Sequence, residues 1–340
     1  MKLQDRISLL TRLGNYMQSQ EPSWLAAKEQ ASRENGWFIP EFITTAVDSI
    51  AKQWLTEKKL SEWVNLEEVP TQQSSPRNVG LVMAGNIPLV GFHDWLCVFV
   101  SGHGAQLKLS SKDKVLFPHL LGKIFEWAPQ LEGTYQLAER LTGCDAYVAT
   151  GSNNSSRYFN YYFGKYPHII RKNKTSVSIL NGTETKEELE QLATDVHLYF
   201  GLGCRNVTKL YLPFGYDFIP LLEAFKKFSW LADFHKYKNN YDYNLALYIL
   251  NKQFYMTNGS LLLLEEKNCF APVSQLNYEF VENIESLTGE LSTHPDIQAI
   301  VGKNFLPYGQ SQHPRLFDYA DNVNTLAFLN KKMLNWHATQ

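Results

Sequence analysis

From residue 78 to 180 the sequence alternates compact apolar runs with longer helix-like segments, and few folds accept that rhythm. NVGLVMA, GAQLKLS and DAYVAT read as buried strands. Residues 87–100, 115–127, 134–142 and 154–163 read as helices, and 168–171 and 175–180 as two more short strands. Repeated strand–helix–strand units build a parallel sheet covered by helices, so a Rossmann-like α/β domain is expected. Such sheets bind ligands beyond the carboxyl ends of their strands. The loops after residues 84, 109, 150 and 180 are therefore where chemistry is expected.

The flanks read differently. Residues 1 to about 65 are helical in pattern. Leu3, Ile7, Leu10, Leu13 and Met17 recur at helical spacing, a second stretch covers 23–33, and a third begins at Pro40 with Phe42, Ile43, Ala46, Ile50 and Trp54 on one face. TQQSSP (71–76) is a polar connector. Beyond residue 185, a helical run (186–200) leads to the strand VTKLYLP, a helix at 219–228, an apolar stretch at 244–250 open to either assignment, the strand SLLLLEE, a mixed stretch at 278–287 and HPDIQAIVG. VNTLAFL (323–329) alternates like an edge or pairing strand. Four segments are expected: a helical region 1–77, a cofactor domain 78–184, a catalytic domain 185–320, and a tail 321–340 returning to the cofactor domain or to a dimer partner.

Charged residues make up 19% of the 340, aromatics 14%, and the formal net charge is −2. That is a globular composition. No basic block points to nucleic acid, and no apolar run reaches ~18 residues, so no membrane span is expected. The N-terminal MKLQDRISLLTRLGNYMQSQ lacks the apolar core of a signal peptide. Cysteines at 97, 144, 204 and 269 form no metal-binding spacing, and the nine histidines form no HExxH pattern, so no metal is expected. Reduced thiols and a cytoplasmic location follow from these readings.

Four loops could carry chemistry. In YFGLGCRNVTKLYL, Cys204 stands between small glycines and a new strand, as a nucleophile in a tight accessible loop would; a small buried cysteine is the plainer alternative. Ala84-Gly85-Asn86-Ile87-Pro88 puts an amide at a strand's carboxyl end, where it can donate to a developing oxyanion or simply make a turn. Lys108 is flanked by leucines in a strand, a costly place unless it reaches water or a nucleotide ribose or phosphate. Thr150-Gly151-Ser152-Asn153-Asn154-Ser155 is a strand-to-helix turn whose amides favour phosphate or are merely well capped. Gly102-His103-Gly104 precedes a strand and so fails the dinucleotide fingerprint; there is no P-loop and no G-x-S-x-G elbow. His197 is expected on a helix surface, outside any Cys-His framework.

Taken in order, these loops resemble the aldehyde dehydrogenase superfamily, and most closely its acyl-CoA reductase branch, typified by the fatty-acyl reductase of bacterial bioluminescence. The resemblance covers about residues 78 to 330. It implies an α/β, aldehyde dehydrogenase-like fold: a Rossmann-like cofactor domain, a second α/β catalytic domain and a helical N-terminus. AGNIP is similar to the loop of the family's oxyanion asparagine, implying that role for Asn86, with Gly85 beside the cofactor. LKLSSKD resembles the strand whose lysine contacts the adenosine ribose, implying Lys108 and Ser110. TGSNNSS resembles the turn under the cofactor, implying Gly151 and Ser152. The Cys204 segment resembles the nucleophile loop. EEKNCFAPV resembles the family's Glu-x-Phe-Gly-Pro segment, implying that Glu266 holds the nicotinamide ribose, although extra residues separate Glu266 from Phe270. GQSQHPRLFDYADNVNTLAFL is similar to the branch's closing segment.

The glutamate of the hydrolytic enzymes' Glu-Leu-Gly-Gly segment has no counterpart in Ser178-Ile179-Leu180-Asn181-Gly182, which leaves Asn181 as a cofactor contact. The resemblance therefore implies reduction of an acyl-CoA, with a fatty acyl chain, to the aldehyde by way of an acyl-cysteine thioester. The cofactor is NADP(H) in preference to NAD(H), because Lys108 can meet a 2′-phosphate; coenzyme A enters as part of the substrate. Expected partners are the acyl-CoA, an acyl-activating enzyme and a second copy in a homodimer. Two alternatives stand. One is a semialdehyde dehydrogenase or acyl-phosphate reductase, with Arg205 and Lys209 as a cationic pocket. The other is an inactive nucleotide-binding scaffold. Phe214, Tyr216, Phe218, Phe228 and Trp230 either line an acyl channel or form ordinary core.

Overall fold

The computed structural model describes residues 1–333. The chain forms two compact units, one of Met1–Asn173 with the segment from Pro314 onward, the other of Lys174–His313. The expected boundary at 184/185 therefore lies earlier, and the return to the first unit begins at Pro314, before 321. The reason is strand pairing. Residues 175–179 hydrogen-bond to strands of the second unit and to none of the first.

The first unit opens with α1 (Leu3–Met17), α2 (Pro22–Glu34), α3 (Pro40–Gln53) and α4 (Glu57–Leu66). Proline at the first turn starts α2 and α3, where its missing N–H costs nothing, and the Thr56 hydroxyl caps α4. Then follow β1 (Asn78–Val82), α5 (Phe92–Ser101), β2 (Gly104–Lys108), α6 (Leu116–Trp127), β3 (Tyr135–Leu137), β4 (Ala146–Thr150), α7 (Asn153–Phe163) and β5 (His168–Arg171). The sheet is parallel throughout, in the order β3-β2-β1-β4-β5. Its order reverses between β1 and β4, the switch point at which such sheets leave a crevice. Residues 134–142, expected as a helix, contribute the edge strand β3 instead. Pairing with β2 and a hydrogen bond from the Tyr135 hydroxyl to the His103 carbonyl (2.9 Å) outweigh the helix propensity of Leu, Ala, Glu and Arg there.

The second unit contains β6 (Thr175–Ile179), α8 (Lys186–His197), β7 (Val207–Leu212), α9 (Phe218–Phe225), α10 (His235–Leu250), β8 (Met256–Thr257), β9 (Leu262–Glu265), β10 (Gln275–Phe280), α11 (Ile284–Thr293) and β11 (Ile297–Val301). Its sheet runs β11-β6-β7-β10-β9-β8, parallel except for β8, which is antiparallel to β9. The open stretch at 244–250 is the end of helix α10. Helix α8 starts at a capping box, Thr185 with Glu188, and stops at His197, earlier than the expected 200.

The returning segment closes the first unit's core with Leu316, Tyr319, Leu326, Phe328, Leu329 and Met333. VNTLAFL is no strand. Residues 325–332 are helical, and the Asn324 side chain caps their start by accepting the Ala327 N–H (2.8 Å). Edge pairing by this segment is thereby removed as a dimerisation device. Its last residues, 334–340, lie outside the described part. Among the described residues, no helix is long and apolar enough to cross a membrane, and no group of three His, Cys, Asp or Glu could hold a metal ion.

Candidate active site

In the first unit β1, β2 and β4 end level with one another, Val82 beside Lys108 and Ala149. The turn after β1 carries Gly85 and Asn86. A Cβ on Gly85 would stand 2.6 Å from the Cβ and Oγ of Ser110, so only glycine lets this turn sit on the loop after β2. Farther along, Leu89 is left-handed (φ 57°), and its N–H donates to Asp113 Oδ2 (2.9 Å). Asp113 is buried, which pushes its carboxyl up to about 6. It thus ties the Asn86 loop to the loop after β2. Sequence reasoning passed over it, although it ends the LKLSSKD run. Lys108 is exposed at the last position of β2. After β4, a Cβ on Gly151 would meet Phe159 at 2.7 Å and Ser155 at 2.9 Å, and the Ser152 hydroxyl accepts the Ser155 N–H (3.3 Å) to start α7. Asn86, Gly85, Lys108, Ser110, Gly151 and Ser152 thus share one edge of one sheet, around its switch point. The donor set fits a dinucleotide: a helix N-terminus for phosphate and an exposed ammonium for ribose or phosphate.

In the second unit Cys204 lies just before β7, at the sheet's amino edge, and is partly exposed. The chain reaches it through three successive left-handed residues, Tyr199 (φ 55°), Phe200 (φ 57°) and Gly201 (φ 74°). Each non-glycine residue in that region costs about 1 kcal/mol or more. Burial of both aromatic rings, with Phe200 packed on Phe234 and Tyr237, offsets the cost. Asn206 fixes the loop from behind. Its Oδ1 accepts the Gly203 N–H (2.8 Å), and its Nδ2 faces the last carbonyls of α8, at Asp195 (3.0 Å), Val196 (3.2 Å) and Leu198 (2.8 Å). The Ser176 hydroxyl donates to the Cys204 carbonyl (3.2 Å). Asn206, fully buried, was not singled out in the sequence, although an Asn two residues after the thiol was visible. Burial pushes the other three thiols up, Cys144 to about 11.

The structure does not bring every expected residue to Cys204. Asn181 follows β6 at the sheet's carboxyl edge, whereas Cys204 enters β7 at the amino edge. The six residues of β7 put about 20 Å between those edges at ~3.3 Å per residue. Asn181 instead shapes its own turn, accepting the Thr183 N–H and hydroxyl, while Glu184 accepts the N–H groups of Asn181 and Gly182. The segment entering β6 beside Cys204 is Lys172-Asn173-Lys174, which also lacks a carboxylate. So do residues 201–206 entering β7 and 267–274 entering β10.

Glu266 follows β9 at the carboxyl side and accepts the Asn268 N–H (3.1 Å). Two residues before Phe270 stands Asn268, in a loop held by Asn277 through the carbonyls of Asn268 (2.8 Å) and Phe270 (3.1 Å). Lys209 is buried and ion-paired to Glu279 (2.5 Å), so it offers no charge to a ligand. The aromatics divide. Phe214, Tyr216 and Phe218 cluster with Tyr278 and Phe280 at the carboxyl edge, while Phe228 stacks on His197 and Trp230 meets Phe234 edge to face. His197 is not on the surface. It is 1% exposed, because α8 ends there against α9.

No protein-family model and no curated protein matches the chain. Solved structures do. Aldehyde dehydrogenase 21 of Physcomitrella patens, in complex with the product succinate, superposes with a TM-score of 0.66 over 89% of this chain and 74% of its own, at 12% identity. A propionaldehyde dehydrogenase of Rhodopseudomonas palustris with bound propionyl-CoA gives 0.61 over 88% and 76%, at 12%. A variant of aldehyde dehydrogenase C from Pseudomonas syringae, complexed with NAD+ and octanal, gives 0.63 over 88% and 72%, at 10%. At such identities the likeness is one of fold, and the chain has the aldehyde dehydrogenase-like fold.

Proposed function

We propose that this chain reduces acyl-CoA thioesters to aldehydes with a nicotinamide cofactor, through an acyl group carried on Cys204. The observation that carries the reading is the Cys204 loop. A partly exposed thiol is fixed from behind by Asn206 and Ser176, and the segments entering β6, β7 and β10 hold no carboxylate. The Cys204 thiolate adds to the thioester carbonyl, whose electron pair moves to oxygen; collapse expels the CoA thiolate. The Cys204 backbone N–H donates to the oxyanion, and the family resemblance implies Asn86 as a second donor. The segments entering β6, β7 and β10 supply no carboxylate to activate water, which favours survival of the acyl-enzyme against hydrolysis. Lys108, Ser110, Gly151 and Ser152 hold the cofactor, which supplies the hydride when bound. Cys204 then leaves as thiolate when the thiohemiacetal collapses to the aldehyde. The propionyl-CoA bound to one structural neighbour supports an acyl thioester on this fold. Lys108 favours NADPH. An acyl phosphate is disfavoured, because Lys209 is already paired with Glu279.

Intact-protein mass spectrometry after incubation with a long-chain acyl-CoA tests this. The expected result is a gain of one acyl group, absent in Cys204→Ala, and discharged as aldehyde faster by NADPH than by NADH. An adduct only with acyl phosphates would move the donor. No adduct with either, and no dinucleotide binding, would turn the reading to an inactive scaffold.

A further inference from the structure

Behind the nucleophile loop, the second unit encloses a narrow cavity between the end of α8, α10 and the segment entering β10. Two of its lining side chains end in buried polar atoms that have no partner, His197 Nε2 and Tyr237 OH. Both residues are 1% exposed. The other polar side chains of the lining are engaged: Thr208 with the Cys269 carbonyl, Ser274 with the Val273 carbonyl, and Gln275 with Asn277.

The tautomer of His197 follows from its neighbours. Nδ1 lies 2.8 Å from the Ala193 carbonyl, which can only accept, so Nδ1 carries the proton. The ring is neutral, since burial holds its pKa down at about 4. Nε2 is therefore a bare acceptor, and the ring cannot turn away because it stacks on Phe228 (5.0 Å, 4°). The Tyr237 phenol, kept protonated by burial, offers one donor and spare acceptor capacity. A charged ligand is excluded by the absence of any counter-charge among these groups.

We infer that this cavity is a built water site, in which ordered water donates to His197 Nε2 and is shared with Tyr237 OH. The space suits about one or two waters, and the two orphaned atoms supply the polar partners a buried water needs. The site ties α8 and α10 to Phe200 and Gly201, which also line it and carry the chain into the Cys204 loop. It stands independently of the acyl-transfer reading.

Two measurements test it. A crystal structure of the full chain at neutral pH should show ordered density within hydrogen-bond distance of both atoms. In a thermal-unfolding cycle, His197→Phe and Tyr237→Phe should each lower the melting temperature by about 2–4 °C, with the double variant no worse than either single, because each single change strands the remaining polar group. A dry cavity in the crystal, or single effects that simply add, would overturn the inference. Should a variant fail to fold, the wild-type density alone decides.

Discussion

In the proposed mechanism one amide, that of Asn86, is asked to do a large share of the chemistry. A preorganised donor to an oxyanion is worth roughly 3 kcal/mol, because it stabilises charge that exists only in the transition state. Asn86→Ala should therefore lower kcat about 100-fold and leave the KM for acyl-CoA nearly unchanged, in steady-state assays following NADPH oxidation. A loss below fivefold would mean that backbone amides hold the oxyanion alone. The turn is also shaped by Gly85 against Ser110 and by Asp113 accepting from Leu89, which the substitution leaves in place.

Among elements, the junction of α8 with β7 shows how a loop is held by one side chain. Asn206 terminates α8 and fixes Gly203 at once, so Asn206→Ala strands a buried N–H and several helix-end carbonyls together. The expected loss is about 3 kcal/mol in urea unfolding, with acylation of Cys204 slowed as well. An unchanged midpoint would show that water replaces the amide. This junction also marks the limit of what the sequence discloses. The alternation of strands and helices was legible because buried parallel strands are short apolar runs, and the residues at their carboxyl ends in the first unit could be named beforehand. Direction across a sheet was not. Asn181 follows a strand just as Asn86 does, but Cys204 precedes one, and only the pairing of Ile179 with Tyr211 reveals that they stand at opposite edges. Residues 134–142 and 323–329 misled for a related cause. Propensity and alternation are local, whereas β3 is decided by the edge of β2, and residues 325–332 by a core that lies far away in sequence.

For the whole molecule, the first unit depends on chain from both sides of the second. Trp54 Nε1 donates to the Pro314 carbonyl (2.7 Å), Trp63 Nε1 to the Tyr319 hydroxyl (2.9 Å), and Arg171 to the Thr325 hydroxyl (2.8 Å). A chain ending at His313 should therefore lose the first unit's cooperative unfolding transition in calorimetry; a retained transition would show that the first unit closes its core without the returning segment. Titration is distributed just as evenly. Each unit buries one histidine held down to about 4, His103 and His197, and one aspartate raised to about 6, Asp113 and Asp195. Between about pH 6.5 and 4 the unfolded chain protonates the histidines and the folded chain does not, so stability falls as pH falls. Over nearly the same window the folded chain keeps the aspartate protons and the unfolded chain releases them, so stability falls as pH rises. The two effects oppose, and the native protein should show a shallow profile from pH 4.5 to 6.5. His197→Phe removes one side of the balance. Its stability relative to wild type should improve by about 2 kcal/mol as pH drops from 6.5 to 4.5 in urea titrations. A pH-independent difference would mean that His197 takes up a proton in the folded chain as readily as in the unfolded one, and that it is not held neutral at the end of α8.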